Sequence, residues 1–405
     1  MQENRLIKKR TIDNSMNKES LLIRNLGPIH EVELKDISPL MVLVGESGGG
    51  KSTILKVLAL FQWIYKMMNI RTYLSKSGVS KSPFRFSWQT YMRNAGFEKY
   101  LKQNTEIVYQ VGSCIISYTN GKLNTSSEIP EEEMSLVKVA FVSDKRNMIS
   151  NLVAGKAKNN YDFYLNQTFE DFVAATRVIR EHAIDYLDVK LMVEKGNNGE
   201  NFYISGINEN EMFKIGFEDA SSGMQNVSPL SVNVEYFTHY FDPVGTANKM
   251  VFKYLSESDD LKNFAAKQNL GEWNSRVVSL LIEEPELSLY PESQTELVDS
   301  LVSRCFDNSL SHQVHLAIAT HSPYIVNYLN LLSARAQFCT SNEKPSLSID
   351  KMSVYHVEDG YAYSLKVNAK NGTQIINTRV LSDPISAIYQ SYNKILEQGD
   401  ERVVK

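Results

Sequence analysis

Cysteine is scarce in this 405-residue sequence: there are three, Cys114, Cys305 and Cys339, far apart. Such scatter excludes a disulfide framework or a cysteine-built zinc site and fits a reducing compartment. No run approaches the roughly 20 apolar residues that cross a bilayer, so no membrane association is expected. The basic opening Met1–Arg10 is not followed by an apolar stretch, so no secretory leader is expected and the expected location is cytoplasmic. Charge of one sign is missing too. With 43 Lys+Arg against 47 Asp+Glu the net charge is −4, which excludes a uniformly basic nucleic-acid binder but leaves room for a local basic surface. There is no repeat at a period of about 20–50 residues and no sustained heptad pattern, so neither a solenoid nor a long coiled-coil arm is expected. What remains is ordinary globular material, 42% hydrophobic and 22% charged. Length alone suggests two or three units, or one composite domain.

Along the chain, Leu21–Arg24 and Glu31–Leu34 read as strands around a Gly27–Pro28 turn, and Leu40–Val44 as a strand buried on both faces. Thr53–Met68 has helical spacing. Thr105–Gln110 and Ser113–Thr119 alternate, with Asn120–Gly121 marking a hairpin turn. Val137–Val142, Val277–Ile282 and Val314–Thr320 read as buried strands. Tyr161–Leu187 reads as helical, Val189–Val193 and Phe202–Ser205 as a hairpin, Met352–Lys366 as another turning near Asp359–Gly360, and a terminal helix is expected from Pro384.

The strongest chemical signal is Gly45-Glu46-Ser47-Gly48-Gly49-Gly50-Lys51-Ser52-Thr53, which matches G-x-x-x-x-G-K-[ST] between a buried strand and a helix. Glycines let backbone amides turn toward phosphate oxygens, Lys51 can reach the β and γ phosphates, and the Ser52 hydroxyl can ligate Mg²⁺. Next comes Glu283-Glu284-Pro285-Glu286, at the carboxyl end of a buried strand. Alone it could be an acidic first turn of a helix; beside a phosphate loop, one carboxylate can hold the Mg²⁺ shell and the next can polarise the attacking water. Third is Thr320-His321-Ser322-Pro323, whose histidine can reach a γ-phosphate. Fourth is Asp219-Ala-Ser221-Ser222-Gly223-Met224-Gln225, an anion site or merely a good helix cap.

These four elements, in this order, resemble the ABC-type ATPase heads of the SMC, RecF and OLD class. Leu22-Ile-Arg-Asn-Leu-Gly-Pro-Ile is similar to that class's first strands, and Gly45–Thr53 to its Walker A loop. Ser221-Ser-Gly-Met-Gln225 resembles the signature motif, without the leading Leu and second Gly. Leu281-Ile-Glu-Glu-Pro-Glu286 resembles Walker B plus catalytic glutamate, with Glu283 where many relatives have Asp, and Ile318-Ala-Thr-His-Ser-Pro323 resembles the switch-histidine loop. The closest flavour is that of OLD-like ATPases of bacterial anti-phage systems, such as the Septu and PARIS subunits.

The resemblance implies an α/β fold: a P-loop head with a mixed central sheet, a β-hairpin subdomain, a helical signature lobe and no long coiled coil. It implies ATP and Mg²⁺ as cofactors, with Ser52 and Glu283 on the metal. ATP would be held by Gly45–Thr53 of one subunit and sealed by Ser222 and Gly223 of another, head to head. Lys51, Glu284 and His321 would be the catalytic set. A sensing loop is expected near Phe141–Arg146, with Asp144 and Arg146 as its candidate residues.

The expected layout is a composite head over residues 20–330, with an insertion near 62–102 and a helical lobe near 150–235, then a strand/helix extension over 331–405. Within the insertion, Lys66, Arg71, Lys76, Lys81, Arg85, Arg93, Lys99 and Lys102 accompany aromatics. That pattern suits a DNA surface, or an insertion whose rings pack on the head while its cations are solvated, and the second reading is preferred. His312-x-x-His315 has metal-like spacing, but it leads into a strand, where residues three apart point to opposite faces. The tail after Ser322–Pro323 has no Asp-x-Asp pair of the kind Toprim nucleases carry. The expectation is therefore an ATPase sensor or scaffold controlling a separate effector, such as a nuclease, in anti-phage defence. A RecF-like repair clamp on DNA and a nucleotide-gated scaffold with negligible turnover are the alternatives.

Overall fold

The computed structural model describes residues 18–77, 88–126, 128–156, 161–197, 199–208, 213–257, 273–339, 344–369 and 372–403. In chain order the strands are β1 (Glu19–Leu26), β2 (Ile29–Leu34), β3 (Leu40–Gly45), β4 (Leu101–Val111), β5 (Cys114–Thr119), β6 (Lys122–Thr125), β7 (Ser135–Val142), β8 (Glu181–Ile184), β9 (Val189–Gly196), β10 (Gly199–Gly206), β11 (Lys214–Gly216), β12 (Ser275–Glu283), β13 (Gln313–Thr320), β14 (Met352–Glu358), β15 (Tyr361–Ser364), β16 (Lys366–Asn368) and β17 (Gln374–Ile376). The helices are α1 (Lys51–Lys76), α2 (Trp88–Asn94), α3 (Met148–Val153), α4 (Phe163–Thr176), α5 (Ser222–Glu235), α6 (Pro243–Glu257), α7 (Pro291–Cys305), α8 (Pro323–Phe338) and α9 (Arg379–Val403).

Among the described residues one mixed sheet runs β6-β5-β4-β1-β2-β15-β14-β3-β13-β12-β7. From β14 to β7 the neighbours are parallel; the β1, β2 and β4–β6 side is antiparallel. The parallel strands are apolar on both faces because both are covered. On β3, Met41 and Leu43 face α1, while Leu40, Val42 and Val44 join the core under α7 and α8. A second sheet, β11-β10-β9-β8, is antiparallel and encloses its own core with α3, α4 and α5, built on Leu165, Phe172, Leu191, Ile204 and Phe217. The architecture is the α/β mixed-sheet head that the motifs led us to expect. The lobe read as helical carries this small sheet in addition to its helices.

Three local readings differ. Helix α1 begins at Lys51 and runs on to Lys76, because Ile70 and Leu74 keep the helical period and pack with Val251 and Leu255 of α6. The stretch 161–187 is not one helix: α4 stops at Thr176, and Glu181–Ile184 alternates exposed and buried as a strand paired with β9. The terminal helix starts at Arg379 and not at Pro384, since the Asn377 side chain caps the Arg379 amide at 3.1 Å. Lys66 is half-buried within α1, and rings of the insertion pack inward, Trp63 against Tyr91 and Tyr73 against Trp273. Arg93 and Lys76 pair with Glu98 and Glu131, so the described part of the insertion packs on the head; Lys81 and Arg85 lie outside the described residues.

Candidate functional site

The site is built where the neighbouring parallel strands β3, β13, β12 and β7 all end at one rim, the usual place for a ligand on an open parallel sheet. β3 delivers the glycine-rich loop. Gly45 has φ +154, and a Cβ there would lie 2.0 Å from the Val357 carbonyl of β14, so only glycine fits. Gly50, at φ +107, turns the chain into α1. Glu46, Ser47, Gly48 and Ser52 face solvent, Gly49 is half-buried, and Lys51 and Thr53 are buried. The loop therefore presents its outer edge and the amino end of a 26-residue helix, an arrangement suited to phosphate. Lys51 Nζ donates to the Gly45 and Glu46 carbonyls at 2.8 Å each and lies 3.3 Å from His321 Nδ1. Burial lowers the Lys51 pKa to about 8, against the opposing pull of Glu284, Glu286 and Glu46.

β12 delivers the two carboxylates, and they occupy different environments. Glu283, its last residue, is 1% exposed. Its pKa is raised by burial, with Lys56 and the Ser52 hydroxyl pulling the other way. Lys56 Nζ lies 3.3 Å from Glu283 Oε1, and neither carboxylate oxygen has a well-formed hydrogen bond. A buried carboxyl group with open lone pairs beside a serine hydroxyl is a fitting place for a divalent cation. No cluster of three or more His, Cys, Asp or Glu side chains suited to a metal occurs among the described residues, so such an ion would depend on Ser52, Glu283 and phosphate oxygens.

Glu284 turns the chain the other way. Its φ of +43 is left-handed, unusual for a residue with a side chain. Glu284 N donates to the Ala319 carbonyl at 2.7 Å. Arg146 Nη2 donates to the Glu284 carbonyl, also at 2.7 Å. The turn brings Glu284 Oε1 to 3.3 Å from His321 Nε2. His321 thus stands between an ammonium and a carboxylate. With the Lys51 ammonium donating to Nδ1, the ring proton belongs on Nε2, facing Glu284.

His321 is held by a residue whose role was not foreseen. Glu286 Oε1 accepts from both the His321 amide and the Thr320 hydroxyl, each at 2.7 Å. The following Ser322 hydroxyl caps α8 and donates to Gln294 Oε1 at 2.5 Å. Arg146 also differs from expectation. It is 0% exposed, and its guanidinium donates to the carbonyls of Asn226, Ser143, Glu283 and Glu284. It is a tie between β7, the carboxylate turn and α5, not a group reaching for nucleotide. Asp144 stays half-buried beside it, where its charge helps to raise the Glu283 pKa.

Ser222 and Gly223 open α5, with Ser221 as cap. A Cβ on Gly223 would meet the Ser288 carbonyl at 3.0 Å, and Asn226 donates to the Ser222 carbonyl at 2.9 Å. Among the described residues no hydrogen bond joins 221–225 to the 45–53 loop. The two histidines of His312-x-x-His315 diverge: His312 Nε2 meets the Phe237 carbonyl at 2.8 Å, while His315, half-buried, has its Nδ1 4.0 Å from Glu19.

No family model and no curated protein matches the chain. Solved structures with some likeness include an SMC head bound to the C-winged helix domain of ScpA (TM-score 0.37, 11% identity, 90% of this chain and 99% of that one). Others are the SMC head domain from Thermotoga maritima (TM-score 0.36, 11% identity, 87% and 100%) and the recombination mediator RecF of the RecFOR pathway (TM-score 0.33, 9% identity, 86% and 99%). At identities and scores this low they carry no argument about function.

Proposed function

We propose that the chain binds and hydrolyses ATP with Mg²⁺, as one half of a head-to-head dimer. The observation that carries this reading is the contact series Lys51–His321–Glu284, formed by residues that three neighbouring parallel strands deliver to one rim. The amides of residues 45–50 and Lys51 would bind the phosphates, and Lys51 would exchange its two carbonyl partners for phosphate oxygens. Ser52 and Glu283 would hold Mg²⁺, which neutralises charge on the phosphates when bound. Glu284 would orient and polarise the water and accept its proton; His321, adjacent to both, would read the γ-phosphate. Ser222 and Gly223 of a second copy would complete the cage. Lys51→Ala tests the binding half: titration with ATP and Mg²⁺ should register no binding, and affinity equal to that of the unaltered chain would contradict the reading.

The biological role we propose is that of a sensor or scaffold whose nucleotide cycle controls a separate effector, such as a nuclease, in bacterial anti-phage defence. Its support is the resemblance of Glu283-Glu284-Pro285-Glu286 to the OLD-like branch. Co-expression with the product of the neighbouring gene tests it. A stable complex whose nuclease activity responds to ATP is expected. ATP hydrolysis stimulated by DNA alone, with no effector bound, would favour the repair-clamp alternative.

A further inference from the structure

Helix α9 touches the rest of the molecule at its beginning and then leaves it. Leu381 packs on the core beneath α8. From Ser382 to Leu396 every described side chain is exposed. Six of these are large and apolar: Ile385, Ile388, Tyr389, Tyr392, Ile395 and Leu396, with Ile388 and Ile395 each 68% exposed. Their positions, 385, 388, 392 and 395 with 389 and 396 alongside, fall on one face, wider than a strict coiled-coil seam. Ser391 borders this face on one side and Ser386 and Asn393 on the other; Lys394, the one charged residue between 384 and 396, lies opposite. A helix of 25 residues is about 37 Å long. With serines, asparagine, β-branched isoleucines, Pro384 and Gly399, it has weak intrinsic propensity and would not persist unsupported in water. Something must cover the stripe.

We propose that the cover is α9 of a second copy of this chain, so that the protein is a dimer without any nucleotide. The stripe is suited to itself. Between 384 and 396 its borders are uncharged, so bringing this stretch together with its own copy about a twofold axis opposes no like charges, and it offers no charge for an acidic or basic partner to match. Six side chains, each half or more exposed, would remove roughly 700 Å² per copy, close to the ~800 Å² per partner of a standard stable interface. A membrane surface is the poorer fit, because a lone lysine on the far side gives little hold on anionic lipid. This contact is separate from closure of the heads on ATP and stands whether or not the chain hydrolyses it.

Light scattering on the full chain without nucleotide tests the proposal. The expected mass is twice 46.0 kDa. The double substitution Ile388→Glu with Ile395→Glu should weaken the dimer about a hundredfold or more and return the mass to one copy. ATP affinity should be unchanged, because these side chains are solvent-facing and outside the head's core; that readout also verifies folding. A single-copy mass for the unaltered chain at micromolar concentration would overturn the proposal, and so would a double variant that stays dimeric. Sedimentation of a single-copy chain with anionic vesicles would equally overturn it, by assigning the stripe to lipid.

Discussion

Glu286 and Lys51 carry the most testable chemistry at the scale of single residues. Glu286 gathers two donors on one oxygen and so fixes the backbone that presents His321. Glu286→Ala should leave the KM for ATP within a few-fold but lower kcat by about ten- to a hundredfold, while Glu286→Gln, which keeps an acceptor, recovers most of it. Steady-state kinetics on the pair checks this, and an unaltered kcat in the alanine variant would remove Glu286 from the mechanism. Lys51, with its pKa lowered to about 8 by burial, is half deprotonated near that pH. Bound phosphates favour the ammonium, so binding must draw in a proton there, and affinity should fall as pH rises through about 8. Calorimetry near pH 8 in buffers of different ionisation enthalpy measures that uptake; heats independent of the buffer would contradict it. The local pattern exposed Lys51, Ser52 and Glu284 to reading because their spacing is itself the signal. Glu286 lay inside a motif yet gave no hint of its task, which depends on a turn 35 residues further on.

Among the elements, the β3–loop–α1 unit was legible because a strand buried on both faces reads as an unbroken apolar run and glycines mark the loop. The α4–β8 junction was not, since residues 177–187 keep enough apolar character to continue a helical period until pairing with β9 decides otherwise. The end of α1 was hidden for the same reason, its second half being held by α6, far away in sequence. Arg146 illustrates how an element boundary depends on distant partners: one guanidinium satisfies carbonyls from Ser143, Asn226, Glu283 and Glu284. Arg146→Met removes all of these donors from a fully buried place and should destabilise the chain by roughly 3 kcal/mol or more. Urea unfolding followed by circular dichroism measures the loss, and a change within error would mean that water replaces the guanidinium.

For the whole molecule, length alone left open two or three units or one composite domain, and the glycine-rich loop, the carboxylate turn, His321 and α5 lie on one sheet and the lobe packed beside it. Two buried histidines, His182 and His312, and the half-buried His315 tie the stability of that assembly to pH. His182 is pushed down to about 4 by burial, and burial also lowers His312 and His315. Each is neutral when folded and takes up a proton on unfolding below about pH 6.5. Stability is therefore full above that value and lost as pH falls toward 4, with His182 alone worth on the order of 3 kcal/mol. Calorimetric melting at pH 7 and pH 5 should give the lower Tm at pH 5; an equal Tm would contradict the burial of these rings. The most direct trial of the central claim, that this rim hydrolyses ATP with Glu284 as the water-polarising group, is turnover by Glu284→Gln measured beside ATP binding. We predict binding within about threefold of the unaltered chain, turnover lower by about a hundredfold or more, and heads that remain paired on ATP. Undiminished hydrolysis in that variant would contradict the account.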